Sequence, residues 1–450
     1  MRRIAFHFLV ACSFLGSAAA ATRPHYGGAV RVQLQSAPAT LDIPANAATA
    51  DYWDATRVLA LIADNLVSME TQGRPQPALA IAWQNDSNAR HWQFTLRRGV
   101  KFQDGSAFSA AAIAQILAPL HPDWHAQSSG DTLTIDTDNP LPSLLAELAL
   151  PRNAILKRTA SGLPVGTGPF RVGEFQPGKL LKLAANEECW SGRPYLDEIE
   201  IEFGKSLRDQ AIAFELGKTD VIEVSPAASN SASARVRTSL PVELMALVFP
   251  ANSKAQDPRV REALSLSIDR RPIQSVLLKG AGDPAGSLLP NWMTGYSAVF
   301  SVQPNVPRAK ALLADSRLPA FTLSYDPRDP QAQLIAERIA LNAREAGITL
   351  QVSLSGADDL RLVRVVLPSP DPATSLREAA RQLGLPQPAV RSNAVEDLYQ
   401  AERTVLDGHP VIPLFHLPVA GAASGRVRDW DPDRRGEWNL PQVWLEADSR

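Results

Sequence analysis

The apolar residues of this chain recur with two different periods, and their interleaving over 450 residues limits the fold more than any other feature. Alternation with period 2 marks half-buried strands, whereas steps of three and four mark amphipathic helices. Val30, Val32 and Leu34 alternate with their neighbours over residues 29–35, and the run stops at Ser36-Ala37-Pro38. Tyr52, Ala55, Val58, Leu59, Ile62 and Leu66 then step by three and four, which predicts a helix over 51–66. Alternation returns at Trp92, Phe94 and Leu96 and again at Val100 and Phe102. Gly99 and Asp104-Gly105 supply turns there, and Ser109 can cap a helix through Leu117.

Residues 132–224 read mainly as strands, with one signed helix between the N-cap candidate Ser206 and the stop Gly217. Asp257-Pro258 marks a second helix start, an acidic cap followed by proline at the first helical position. Further on, a strand over 321–325, a helix over 332–344 stopped by Gly347, and a strand over 348–354 make a βαβ unit, which requires parallel pairing. A strand over 362–367 follows. Pro368, Pro370 and Pro372 then interrupt regular structure, and 395–406 returns to helical steps. A chain this long exceeds one ordinary core, so two or three α/β domains are expected.

The N-terminus has the layout of a secretory leader: Met1-Arg2-Arg3, an apolar stretch over 4–15, and small residues over 16–21. Residues 1–21 are therefore expected to be removed, leaving a protein exported to the periplasm. Leu9-Val10-Ala11-Cys12 resembles a lipobox, the alternative in which Cys12 is lipidated; the apolar run continuing past Cys12 speaks against it. Removing Arg2 and Arg3 from 45 basic residues leaves 43 against 47 acidic ones, a balance that predicts no nucleic-acid partner. It also leaves Cys189 as the one cysteine, so no intramolecular disulfide is expected and stability must come from the core.

Motifs of catalysis are missing: no glycine-rich phosphate loop, no Gly-x-Ser-x-Gly elbow and no His-Glu-x-x-His helix occurs. No enzyme, cofactor or metal is expected. His121 and His125 have a spacing that a helix would turn into a metal site, but Pro122 between them points to a loop. Trp53, Trp83, Trp92, Trp190 and Trp292 are candidates either for core or for the wall of a ligand cleft, and Cys189 reads as a small buried hydrophobe.

Five segments, in order, resemble the family 5 extracellular solute-binding proteins, the dipeptide, oligopeptide and nickel binders of ABC importers. They are WQFTLRRGVKFQDG at 92–105, Gly166-Thr167-Gly168-Pro169-Phe170, residues 186–194 with Asn186, Trp190, Gly192 and Pro194, residues 257–270 from Asp257-Pro258 to Asp269-Arg270, and Pro410-Val411-Ile412-Pro413-Leu414. Physically most of these are scaffold; Gly166, Gly168 and Pro169, for instance, fit a tight turn. The resemblance implies a two-lobed periplasmic binding protein fold of type II, α/β with mixed sheets and a two-strand hinge. Lobe one would span 22–248 with an extra subdomain over 45–160, lobe two 249–409, and 410–450 would return to lobe one.

By the same resemblance, the ligand is a small molecule or peptide held between the lobes, and the partner is the membrane permease of an ABC importer, served by a monomer. In peptide binders of the family a lobe-two strand pairs with the extended ligand and ends at a tryptophan, followed by an acid that holds the ligand's amino terminus. Here Leu367 stands in the tryptophan's place, and Asp371 aligns better with a neighbouring Asp-Pro element than with that acid. The ligand is expected to add to the strand of Arg364, Val365, Val366 and Leu367, facing the loop Gln35, Ser36 and Ala37. Arg364 would pair with a ligand carboxylate and Asp371 with an ammonium. The alternatives are the same fold with a metal chelate, sugar or other solute, or a ligand sensor outside transport.

Overall fold

Two strands of 13 residues each, Val236–Val248 and Val411–Ala423, lie antiparallel in the middle of an 11-stranded mixed sheet. At about 3.3 Å per residue each is on the order of 40 Å long, enough to run through two lobes. Proline cannot donate to a ladder and is tolerated in strands mainly at bulges. Accordingly the register slips on both sides of the facing pair Pro241 and Pro418, and again where Ala246 meets Pro413. The computed structural model describes residues 23–43, 49–228, 235–314, 316–354 and 358–446. The leader and Cys12 lie outside the described residues.

On one side of the long pair the sheet continues through Val221–Val224, Ala29–Gln33, Glu198–Glu202, Leu180–Ala185 and Phe170–Gln176. On the other it continues through Leu360–Val366, Phe321–Tyr325 and Leu350–Ser353. Phe321–Tyr325 pairs parallel with both of its neighbours and is followed by the helix Ala332–Glu345, as the βαβ pattern predicts. Each side has its own apolar core. Leu323, Ile335, Ile339 and Leu362 build one; Val30, Val32, Ile62, Phe170 and Ile199 build the other. Trp430, Trp438, Leu440 and Val443, far along the chain, complete the core around Val30. A separate four-stranded sheet carries Phe94, Leu133 and Ile135 against Ile113 and Leu117 of the helix Ala110–Leu117.

The caps read from sequence are made. Ser206 Oγ accepts from the Asp209 amide at 3.1 Å and Asp257 Oδ1 from the Arg259 amide at 2.9 Å. Two expectations change. Pro368 and Pro370 do interrupt regular structure, the chain being irregular over 367–371, but Pro372 opens an unexpected helix: Asp371-Pro372 starts Pro372–Gln382, with Asp371 Oδ1 accepting from the Thr374 amide at 2.9 Å. His125 lies not in a loop but in the strand Trp124–Ser129.

Gly166 and Gly168 are needed for closeness rather than for a turn. A Cβ on Gly166 would sit 2.2 Å from the Ile62 carbonyl oxygen, and one on Gly168 2.6 Å from the Ile62 carbonyl carbon. The Gly168 amide uses this approach to donate to Ile62 at 2.9 Å. Gly166→Ala must push this segment off the helix end and should cost about 1–3 kcal/mol, measured by urea unfolding.

Buried Glu402, on the helix Val395–Leu406, accepts from the amides of Leu288 and Leu289 and from the Tyr296 hydroxyl. Burial pushes its carboxyl up to about 7 from the ordinary 4.5, with these donors pulling it only partly back. The folded state thus holds the proton more tightly than the unfolded chain. That contribution to stability is complete below about pH 4.5 and is lost as pH rises through about 7. The stability of the wild type relative to Glu402→Gln should therefore fall by on the order of 2–3 kcal/mol between pH 4.5 and 7.5 in paired urea titrations; a pH-independent difference would show that Glu402 does not titrate there.

Candidate ligand cleft

The helix Thr49–Ile62 opens toward the space between the lobes, and its first turns carry polar side chains where a purely buried helix would carry apolar ones. Asp54 accepts from the Ser36 amide at 2.9 Å and pairs with Arg57 at 3.0 Å. Arg57 also reaches Glu223 at 2.8 Å, and its guanidinium lies over the Trp438 ring at 4.1 Å. Glu223 in turn accepts from the Gln35 amide at 2.7 Å. Burial, with Glu223 alongside, raises the Asp54 carboxyl well above the usual range against the pull of Arg57. The loop after Ala29–Gln33 is therefore fixed by two carboxylates held on one guanidinium.

The long strand Val236–Val248 contributes Glu243, buried to 4% exposure. It accepts from Trp53 Nε1 at 2.8 Å and faces Arg364 at 3.5 Å, and Arg364 pairs with Asp329 at 2.8 Å. Burial raises the Glu243 carboxyl, and Arg364 opposes this. Glu243 thus joins a helix of one lobe to a strand of the other. The lobes also touch where Arg328 pairs with Asp51 at 3.1 Å and where Gln35 Nε2 donates to the Arg328 carbonyl at 3.0 Å. A further junction joins the region of the four-stranded sheet to the helix Pro372–Gln382: Arg152 pairs with Glu147 at 2.9 Å and with Glu378 at 2.7 Å, and Arg381 pairs with Glu378 at 2.9 Å. Burial would lift Glu378, but Arg381 and Arg152 outweigh it and hold its carboxyl low. These contacts enclose a cavity of about 1230 Å³ walled by both lobes and both long strands.

Of the residues expected at the site, Gln35, Arg364 and Val365 line this cavity. The others are used elsewhere. Ser36 is buried with its amide on Asp54, and Ala37 is exposed beside Gly178 and Gly204. Val366 is packed with Trp53 and Val242, and the Leu367 amide donates to the Val242 carbonyl at 2.8 Å. Asp371 is buried, its oxygens taken by the Thr374 amide and Asn393, and it is absent from the cavity wall. The expected strand-pairing surface is thus shorter than four residues, and the ammonium partner assigned to Asp371 is a helix cap. Among the tryptophans, Trp53 lines the cavity, whereas Trp92 is core.

His121 also lines the cavity, stacked on Trp124 at 3.5 Å and bonded to Asn153 at 2.7 Å, while His125 turns to Asp138 at 2.9 Å. The two imidazoles do not converge, and among the described residues no three His, Cys, Asp or Glu side chains form a metal cluster. Sequence reasoning missed Arg57, Glu223, Glu243, Arg328 and Gln382. The only local signal was the Asp54 and Arg57 pair three apart on one helix face.

A family model described as bacterial extracellular solute-binding proteins, family 5 Middle, matches residues 74–359. The chain is 25% identical over 323 residues to the nickel-binding protein NikA of Staphylococcus aureus, covering 66% of this chain and 65% of that protein. It is 25% identical over 338 residues to a probable di/tripeptide-binding protein of Pseudomonas aeruginosa, covering 62% and 64%. These matches span just under two thirds of the relatives' own length. Among solved structures, NikA of Staphylococcus aureus with Ni(L-His)2 superposes with a TM-score of 0.79 at 20% identity, covering 93% of this chain and 100% of that one. A dipeptide-binding protein from Pseudoalteromonas sp. SM9913 in complex with Met-Leu gives 0.78 at 17% identity, with the same coverage. The two-lobed binding-protein fold expected from the sequence is the fold of these neighbours.

Arg152→Ala removes a cation that Glu147 and Glu378 share across the lobes. Because Arg377 and Arg381 remain nearby, the cost should be roughly 1–3 kcal/mol, below the roughly 3–5 kcal/mol of a fully buried pair that loses one partner. The ligand-free variant should show a larger radius of gyration in small-angle scattering; an unchanged radius would mean this junction does not hold the lobes together.

Proposed function

We infer the function from one premise: this chain belongs to the bacterial extracellular solute-binding proteins of family 5. It is the non-catalytic capture component of an ABC importer, taking a peptide or peptide-like solute into the cleft and delivering it to a membrane permease. The observation that carries this reading is the cavity of about 1230 Å³ between the lobes, which exceeds the usual range of roughly 300–1000 Å³ for small-ligand pockets. Its wall offers guanidinium and carboxylate groups together, Arg57 with Glu223 and Arg364 with Asp329, which suits a ligand carrying both signs of charge. Residues 363–365 present a strand edge to it.

The lobe limits follow the same reading. Residue 248 ends one long strand and residue 411 begins the other, which supports a first lobe over 22–248, a second over 249–409 and a return over 410–450. The leader over 1–21 would bring the protein to the periplasm, where it works as a monomer. Among the described residues no helix is long and apolar enough to cross a membrane. A metal chelate is the second reading, favoured by His121 in the cavity wall and by the nickel-binding relatives.

Native and denaturing mass spectrometry of protein purified gently from its own host decides between them. Short peptides released on denaturation are expected. A single non-peptide species would replace the peptide reading with the second one, and the released compound at about 100 times its Kd should stabilise the protein by about 2.7 kcal/mol.

A further inference from the structure

Resting on the peptide reading above, we propose that Gln382 is a length-determining residue: its side-chain amide occupies the strand edge at Val366 and stops any ligand that pairs along that edge. The strand Leu360–Val366 pairs on one side with Val236–Val248, residue 243 opposite 366 through 248 opposite 361. On its other side Phe321–Tyr325 reaches only from Leu360 to Leu362. The cavity wall then takes over at Val363, Arg364 and Val365.

Backbone parity shows what ends this edge. The Leu367 amide donates to Val242, directly opposite in register, so the groups of Val366 point the other way. There they meet one partner. The Val366 amide donates to Gln382 Oε1 at 3.1 Å, and Gln382 Nε2 donates to the Val366 carbonyl at 2.8 Å. These are the two bonds that a residue of a neighbouring strand would make. Nε2 is steadied by the Glu378 carbonyl at 3.3 Å, one turn earlier in the same helix, and Gln382 itself lines the cavity.

The usable edge is therefore closed at Leu362 by Tyr325 and at Val366 by Gln382. Four residues of strand advance on the order of 13 Å, so an extended ligand lying here is held to two or three residues. The cavity has room for more, so it is the edge, not the volume, that sets the length.

Calorimetric titration of wild type and Gln382→Ala with Ala-Ala and with Ala-Ala-Ala-Ala tests this, with Gln382→Asn, whose amide is one methylene short of Val366, as a second variant. Wild type should prefer the dipeptide. Both variants should gain about tenfold in affinity for the tetrapeptide relative to the dipeptide, and amide exchange at Val366 should speed up in the ligand-free variants. Equal affinity of wild type for both lengths, or an unmoved length preference in the variants, would overturn the stop while leaving peptide capture standing. Failure of all three proteins to bind either peptide would sink the peptide reading, and the stop with it.

Discussion

The ladder between Val236–Val248 and Val411–Ala423 forms the middle of the sheet that runs through both lobes, and the geometry of the cleft follows from it. Its bulges sit at prolines, where a donor is missing in any case, so the bends cost few hydrogen bonds. Glu243 lies on this ladder, with a tryptophan of one lobe and an arginine of the other on its carboxylate. A shift in the angle between the lobes must change that pair of contacts, which makes the middle of the sheet sensitive to what the cavity holds.

The cleft is charged but locally balanced. Arg57, Arg152, Arg328 and Arg364 each face two carboxylates of the protein, and Arg381 faces Glu378. Such pairing lowers the cost of withdrawing guanidinium groups partly from water. It also positions them before a ligand arrives, so less side-chain ordering remains to be done on binding.

Much of the fold was legible because its signals are local. Ser206 and Asp257 announced helix starts, and the βαβ unit showed in the alternation at 321–325 and the helical steps over 332–344. Asp371-Pro372 carried the same signal as Asp257-Pro258, but three prolines in close succession masked it. The strand Trp124–Ser129 gave no alternation because only its first residue is buried. The cleft was less legible for a plainer reason. Arg57 meets Glu223 across 166 positions and Trp53 meets Glu243 across 190, distances over which spacing says nothing. A glutamine near a helix end, such as Gln382, reads as solvent-facing until the strand beside it is seen.

The core around Val30 is finished by Trp430, Trp438 and Val443, and Arg426 donates to the Ala29 carbonyl across 397 positions. The lobe that begins first in the sequence is thus the last that can be completed as the chain emerges from a ribosome. The other lobe, whose core is drawn mainly from residues between the long strands, can collapse while its neighbour still waits for its closing segment. Contacts of such high sequence separation carry the largest loop-closure cost, which favours slow docking of residues 427–445 as the final step of folding.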